Sequence, residues 1–360
     1  MPPNVIDHFY LGGANIAELR GVELSTPRRP EEWLAATVHR ADDDLLGLSR
    51  TEDGSLLRDV IAADPIGWLG TDANGAGVDG DNGVLVKLLD AGQRLPVHVH
   101  PTRSFAGEHL HCGYGKTEAW YILATEGDDP AVWVGFSTDV DAVELARRVD
   151  AQDSAWMLAH LNKIPVRPGD GIVVPAGTAH ATGAGVFLVE IQEPTDFSIL
   201  LEWSVTTSSR DESHLGLGFD LALQALSHSA IVGADLEALT LYNDPATTSG
   251  SPLRLLPTAA DPFFRLDLLA PDSGQTVDLD AGFAVLVIVD GVGTIAPSGV
   301  SSAADEDERG SLGVHRGQVF AVPAGYGQWR VSGAVRAVLC RPAAGWPGNV
   351  ERAAIGKRSR

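Results

Sequence analysis

The sequence predicts a mainly β protein: two units of short strands, each a barrel or sandwich, joined by a helical segment. Three observations predict it. Apolar runs of strand length, such as Val84–Leu89, Ala131–Phe136, Ile172–Val174 and Val186–Ile191, alternate with Gly/Pro turns. Short strands at intervals of roughly 8–12 residues suit sandwiches and barrels and not βαβ sheets. A turn-and-strand segment, Pro168–His180, recurs without a gap as Arg316–Gln328, the mark of an internal repeat. Between the copies, Leu215, Phe219, Ala222 and Leu226 fall at helical spacing with no proline among them.

The bulk properties narrow the class of function. The chain has 360 residues, 44% hydrophobic and 21% charged, a composition of soluble globular proteins with room for two cores. A formal charge of −22 argues against nucleic acid and anionic membrane as partners. No apolar run approaches the ~20 residues of a membrane span. The start, MPPNVIDHFYLGG, lacks a basic region followed by an apolar one, so no secretory signal is expected. Two cysteines far apart, Cys112 and Cys340, suit a reducing cytoplasm.

Taken in order, the first 60 residues mix apolar runs with turn residues, and Glu31–Val38 reads as a strand or a short helix. Thr71–Asn82 is a Gly/Asp/Asn turn region; a calcium-binding EF-hand would need a glutamate at its twelfth position and flanking helices. Residues 139–160 break the strand rhythm with a helical pattern in which Val143, Ala146 and Val149 repeat. Asn243–Pro257 is linker in character, Asp305–Arg309 an acidic loop and Lys357–Arg360 a basic tail. These readings divide the chain into 1–205, a metal-binding catalytic unit; 206–252, a helical segment and linker; 253–345, a second unit without ligands; and 346–360, a tail.

The chemistry concentrates in Leu95–Tyr121, LPVHVHPTRSFAGEHLHCGYGKTEAWY. His98 and His100 are two apart, so on a strand they share a face. Glu118 follows across a long loop. Two imidazoles and a carboxylate suit a divalent transition metal. Gly169, then Pro175-x-Gly177-x-x-His180, completes with His98-x-His100 the two-part cupin motif, in which a double-sheet jelly roll holds a metal at its mouth. His180 is then the fourth ligand. In the repeat, Gly317, Pro323 and Gly325 fall on Gly169, Pro175 and Gly177, but Gln328 takes the place of His180 and no His-x-His precedes it. The second cupin is expected to keep the turn geometry and lack the metal.

Val99-His100-Pro101, Gly115-Lys116-Thr117-Glu118-x-Trp120-Tyr121-Ile122 and Pro175-Ala176-Gly177-Thr178-x-His180 resemble the type I mannose-6-phosphate isomerases. So does the pairing of a metal-bearing cupin with a degenerate one through a helical segment. The likeness is strongest over residues 84–194, and the long loop before Glu118 is its most telling feature. It implies a metal-dependent aldose–ketose isomerase acting on a sugar phosphate through an enediol. The expected cofactor is one divalent metal per chain, zinc first, with Fe, Mn, Ni or Co as further candidates. The ligands would be His98, His100, Glu118 and His180, with His98 standing where the family usually has glutamine. Lys116 and His109 would be catalytic. Near residue 200 the family carries an arginine, and here Ile199 or Leu200 stands in its place. Arg103, with Ser104 beside it, is the candidate for binding the phosphate instead, and Arg210 the reserve. Three alternatives compete: an isomerase of an unphosphorylated sugar, an Fe(II) cupin dioxygenase and a non-catalytic sugar-binding cupin. The expected partner is a small sugar or sugar phosphate.

Overall fold

A computed structural model describes residues 1–40, 43–70, 80–272, 274–298, 310–348 and 350. Most of the turn region 71–82, the acidic loop 305–309 and the tail from 351 onward lie outside the described residues.

Strands are numbered in chain order. The first sheet runs β1 (Val5–Ile6), β2 (Glu31–Leu34), β3 (Leu85–Asp90), β10 (Val186–Gln192), β5 (Glu118–Thr125), β8 (Asp170–Val174), β12 (Thr240–Tyr242). The second runs β11 (Ile199–Leu200), β4 (His98–Val99), β9 (His180–Thr182), β6 (Ala131–Phe136), β7 (Leu161–Pro165). The third belongs to the second half: β13 (Leu253–Arg254), β14 (Phe264–Leu269), β19 (Trp329–Pro342), β16 (Ala284–Pro297), β17 (Leu312–His315). There β15 (Thr276–Leu279) pairs with β19 and β18 (Val319–Val322) with β16. The chain is mainly β, as expected, but among the described residues no sheet closes into a barrel. The edges β1, β11 and β12 are only two or three residues long and leave no ladder to join one sheet to the next.

The apolar runs that fail to alternate now have a cause. All residues of β3 and β10 are buried, because the first sheet is covered on both sides. One hydrophobic cluster joins Val86, Leu88 and Leu188 to Val132 and Val134 of the second sheet and to Phe264, Val285 and Val338 of the third. Gly171 marks the closeness of the halves: a Cβ there would lie 1.9 Å from the Leu255 carbonyl oxygen.

The helical pattern at 139–160 forms two helices, Ala142–Asp150 and Ser154–His160. Asp141 caps the first by accepting from the Val143 and Glu144 N–H groups, and Asp153 caps the second through Trp156. The buried face is set by Leu145 and Val149, four apart, whereas Val143 is 78% exposed, contrary to the expected repeat. The joining segment is less helical than expected: Phe219–Ala222 is a single α-turn, Leu223–Ala225 a 3-10 turn, and β12 within it completes the first sheet. Phe219, Ala222 and Leu226 do pack into one apolar cluster.

The repeat keeps only part of its turn geometry. Gly169 and Gly317 share a left-handed φ of 99° and 88°. Gly177 is left-handed at 84°, but its counterpart Gly325 lies in a 3-10 turn, Ala324–Tyr326, and the positive φ moves to Gly327. Among the described residues the second half holds no cluster of metal-ligating side chains.

Candidate metal centre and its cavity

Strand register assembles the four expected ligands. His98 on β4 and His180 on β9 are direct cross-strand partners. Val99 turns into the apolar core, which leaves His98 and His100 on the opposite face together. Glu118 opens β5 on the facing sheet, opposite Gln192 of β10. All four residues are buried, and their ligand atoms lie within 4.8 Å of one another.

The imidazoles are oriented from behind. Each Nδ1 lies 2.8 Å from a backbone carbonyl oxygen: His98 on Pro96, His100 on Phe197 and His180 on Thr178. A proton on Nδ1 satisfies that bond and leaves each Nε2 as a lone pair facing the cluster, the arrangement metal-binding histidines use. His180 Nε2 is buried without a hydrogen-bond partner although Glu118 Oε1 lies 3.2 Å away, two lone-pair atoms with no proton between them. A divalent cation satisfies both, so these residues fit a metal.

Protonation agrees. Burial first, then the Lys116 charge, pushes His100 down to about 3. Burial and the neighbouring imidazoles hold His98 well below its ordinary value. For Glu118 burial works upward, but Lys116, His100 and His180 outweigh it and hold the carboxyl well below its usual range. Neutral imidazoles and an ionised carboxylate are what a metal needs. Lys116 Nζ sits 2.7 Å from His100 Nε2 and 2.9 Å from Glu118 Oε2, itself buried.

His98, Glu118 and the neighbouring Lys116 line a cavity of about 710 Å³, within the ordinary range for small-ligand sites. The same cavity is lined by a second ionic group that sequence reasoning missed. Lys87 Nζ lies 3.2 Å from Glu31 Oε2 and 3.3 Å from Glu190 Oε1, with the Tyr10 hydroxyl donating to Glu31. Register explains it, since Lys87 and Glu190 are direct partners across β3 and β10. Burial opposes the Lys87 charge, yet Glu31 and Glu190 raise its pKa, while burial and the Glu118 charge raise that of Glu190. The signal was present: a lysine and a glutamate inside otherwise apolar strands, LVKLLD and VFLVEIQ.

The other predicted residues lie elsewhere. Arg103, Ser104 and His109 ride on the short helix Arg103–His109, and none lines the cavity. Arg103 is engaged with Glu193, Ser104 is exposed, and the His109 ring packs on Phe105. Arg210 pairs with Asp150 at 2.9 Å, outside the cavity. Ile199 and Leu200, where the family arginine was expected, are buried, and Leu200 lines the cavity.

No family profile matches the chain. Mannose-6-phosphate isomerase ManA of Bacillus subtilis (strain 168) is 35% identical over 113 residues, 31% of this chain and 34% of that protein. Mannose-6-phosphate isomerase of Streptococcus mutans is 38% identical over 113 residues, with the same coverage. The crystal structure of mannose 6-phosphate isomerase from Bacillus subtilis superimposes with a TM-score of 0.69 at 18% identity, covering 94% of this chain and 98% of that one. Over those 113 residues the chain is similar to mannose-6-phosphate isomerases, and over nearly its whole length it shares their fold. A phosphomannose isomerase variant from Salmonella typhimurium gives a TM-score of 0.69 at 16% identity, covering 95% and 98%. At such identities the structural likeness fixes the fold, and the sequence match spans about a third of the length of the curated relatives. Among the described residues no helix is long and apolar enough to cross a membrane.

Proposed function

We propose that the chain is a metal-dependent aldose–ketose isomerase that interconverts a sugar phosphate pair of the mannose 6-phosphate/fructose 6-phosphate type. The observation that carries the reading is the buried His98/His100/Glu118/His180 cluster, its three Nδ1 atoms tied to carbonyls, opening on a cavity of about 710 Å³. These four side chains would hold one divalent ion, zinc being the first candidate for three imidazoles and a carboxylate. When bound, the ion supplies Lewis acidity at the substrate oxygens, which lowers the cost of removing a proton beside a carbonyl.

The rest falls to the chain's own residues. Isomerisation takes a proton from C2 of the aldose and returns one to C1, with charge collecting on the enediol oxygens between. Lys116, buried against the ligands, is placed to offset that charge or to carry a proton. The buried walls keep water from the reactive enediol. Glu31, Lys87 and Glu190, which line the same cavity, present polar and charged groups to the sugar hydroxyls. The two free cysteines accord with a cytoplasmic setting. The test is direct: metal-loaded protein is mixed with mannose 6-phosphate and fructose 6-phosphate formation is followed. Conversion that stops on chelation and returns with zinc supports the reading; no conversion of any hexose phosphate by metal-replete protein contradicts it.

A further inference from the structure

Glu193 follows the last residue of β10 and is buried. Its Oε2 accepts the Thr117 N–H at 2.9 Å, and its own N–H donates to the Thr117 carbonyl at 3.0 Å. Thr117 is the residue between Lys116 and Glu118. Its neighbours are held as well: Lys116 N–H donates to Pro101 O at 3.0 Å, and the Thr195 hydroxyl to Gly115 O at 2.8 Å. The other Glu193 oxygen accepts from Arg103 Nε at 2.5 Å. Above Arg103 lies Phe263, the residue before β14 in the second half, its ring centroid 5.1 Å from the guanidinium carbon. A continuous path of contacts thus runs Phe263–Arg103–Glu193–Thr117, from the second half to the peptide between Lys116 and Glu118.

We propose that Arg103 and Glu193 are positioning residues through which the second half sets the geometry of the metal site. The physics favours this over simple adhesion. An ion pair whose arginine is partly exposed is a weak source of stability. What the pair adds is direction: a carboxylate with both oxygens engaged fixes where the Thr117 peptide lies, and so where the side chains on either side of it begin. Residues that orient metal ligands typically contribute 10–100-fold in metal affinity or activity, and misplacement by about 1 Å can cost 10²-fold in rate. The reading also gives the second half a role that needs no ligands of its own.

The proposal rests on the metal reading of the His/Glu cluster, so the test begins with the full-length wild type and Co(II), whose visible absorption reports ligand geometry. Arg103→Met is the main variant, because Arg103 is partly exposed and its loss is unlike the loss of a core residue. Glu193→Gln is the second, keeping an acceptor for Thr117 but not the ion pair. Both are expected to weaken Co(II) affinity by about 10-fold, shift its spectrum and lower kcat more than they raise KM, while Arg103→Lys recovers most of each. Phe263→Ala is expected to move the same readouts by about 3-fold in the wild type and not at all in Arg103→Met, because coupled residues are not additive. Wild type that takes up no Co(II) overturns the metal reading. Wild type that does, with Arg103→Met and Glu193→Gln at wild-type affinity and spectrum, overturns the positioning role alone. Additive effects of Phe263→Ala and Arg103→Met overturn the link to the second half.

Discussion

His98 and His180 stand directly opposite one another on antiparallel strands, their ring centroids 4.0 Å apart. With their Nδ1 atoms on backbone carbonyls, both rings turn Nε2 toward the cluster. Glu118 is the one anionic ligand and comes from the facing sheet, so Glu118→Ala is expected to cut bound metal to below about a tenth of wild type, since it removes a ligand outright. Elemental analysis of purified protein checks this, and full stoichiometry in the variant would remove Glu118 from the ligand set.

Lys116 competes as a cation for His100 and Glu118. Lys116→Met should therefore leave metal affinity unchanged or tighter while lowering kcat by about 10²–10⁴-fold, the range for a lost acid/base group. Titration calorimetry with Zn(II) and steady-state kinetics separate the two effects. Unaltered kcat takes Lys116 out of the chemistry.

Lys87 lies buried between Glu31 and Glu190. Lys87→Met leaves those carboxylates facing each other without a counter-charge, and breaking a buried pair in this way costs about 3–5 kcal/mol. Urea unfolding should show a loss of that size, with part of it recovered in Lys87→Met/Glu190→Gln. A loss under about 1 kcal/mol would mean that water reaches the group far more than its burial implies.

His8 lines the same cavity, and its pKa is lowered to about 4, first by burial and then by Arg40, Lys87 and Lys116 against the opposing pull of Glu31. The unfolded chain takes up this proton near 6.5, so between about 4 and 6.5 the unfolded state binds more protons and stability rises with pH. The contribution is whole above about 6.5 and is lost as pH falls toward 4. Thermal melts from pH 7 to 5 should show a falling Tm whose slope is reduced in His8→Phe; an unchanged slope excludes His8 as a source.

Legibility followed physical rule. That His98, His100 and His180 would lie together was readable because period-two spacing and the Pro-x-Gly turn report backbone geometry locally, while Glu118 joined them across a long loop through the family likeness. Lys87 and Glu190 stood out singly as charges within apolar strands, but their pairing was hidden because it is a register between strands far apart in sequence. Arg103 stood in for the family arginine missing near residue 200, and only the fold shows it turned toward Glu193. Val143 misled because three-residue spacing alone does not say which face of a short helix meets the core, which Leu145 and Val149 decide. The edges that keep the sheets from closing were likewise invisible, since strands of two residues carry no periodicity.

The most direct test is proton transfer itself. Metal-loaded protein is incubated with mannose 6-phosphate or fructose 6-phosphate in D₂O and the sugars are followed by NMR. The account predicts deuterium at C2 of the aldose or C1 of the ketose, abolished by chelator and absent in Glu118→Ala. Metal-replete protein that exchanges no carbon-bound hydrogen on any hexose phosphate contradicts it.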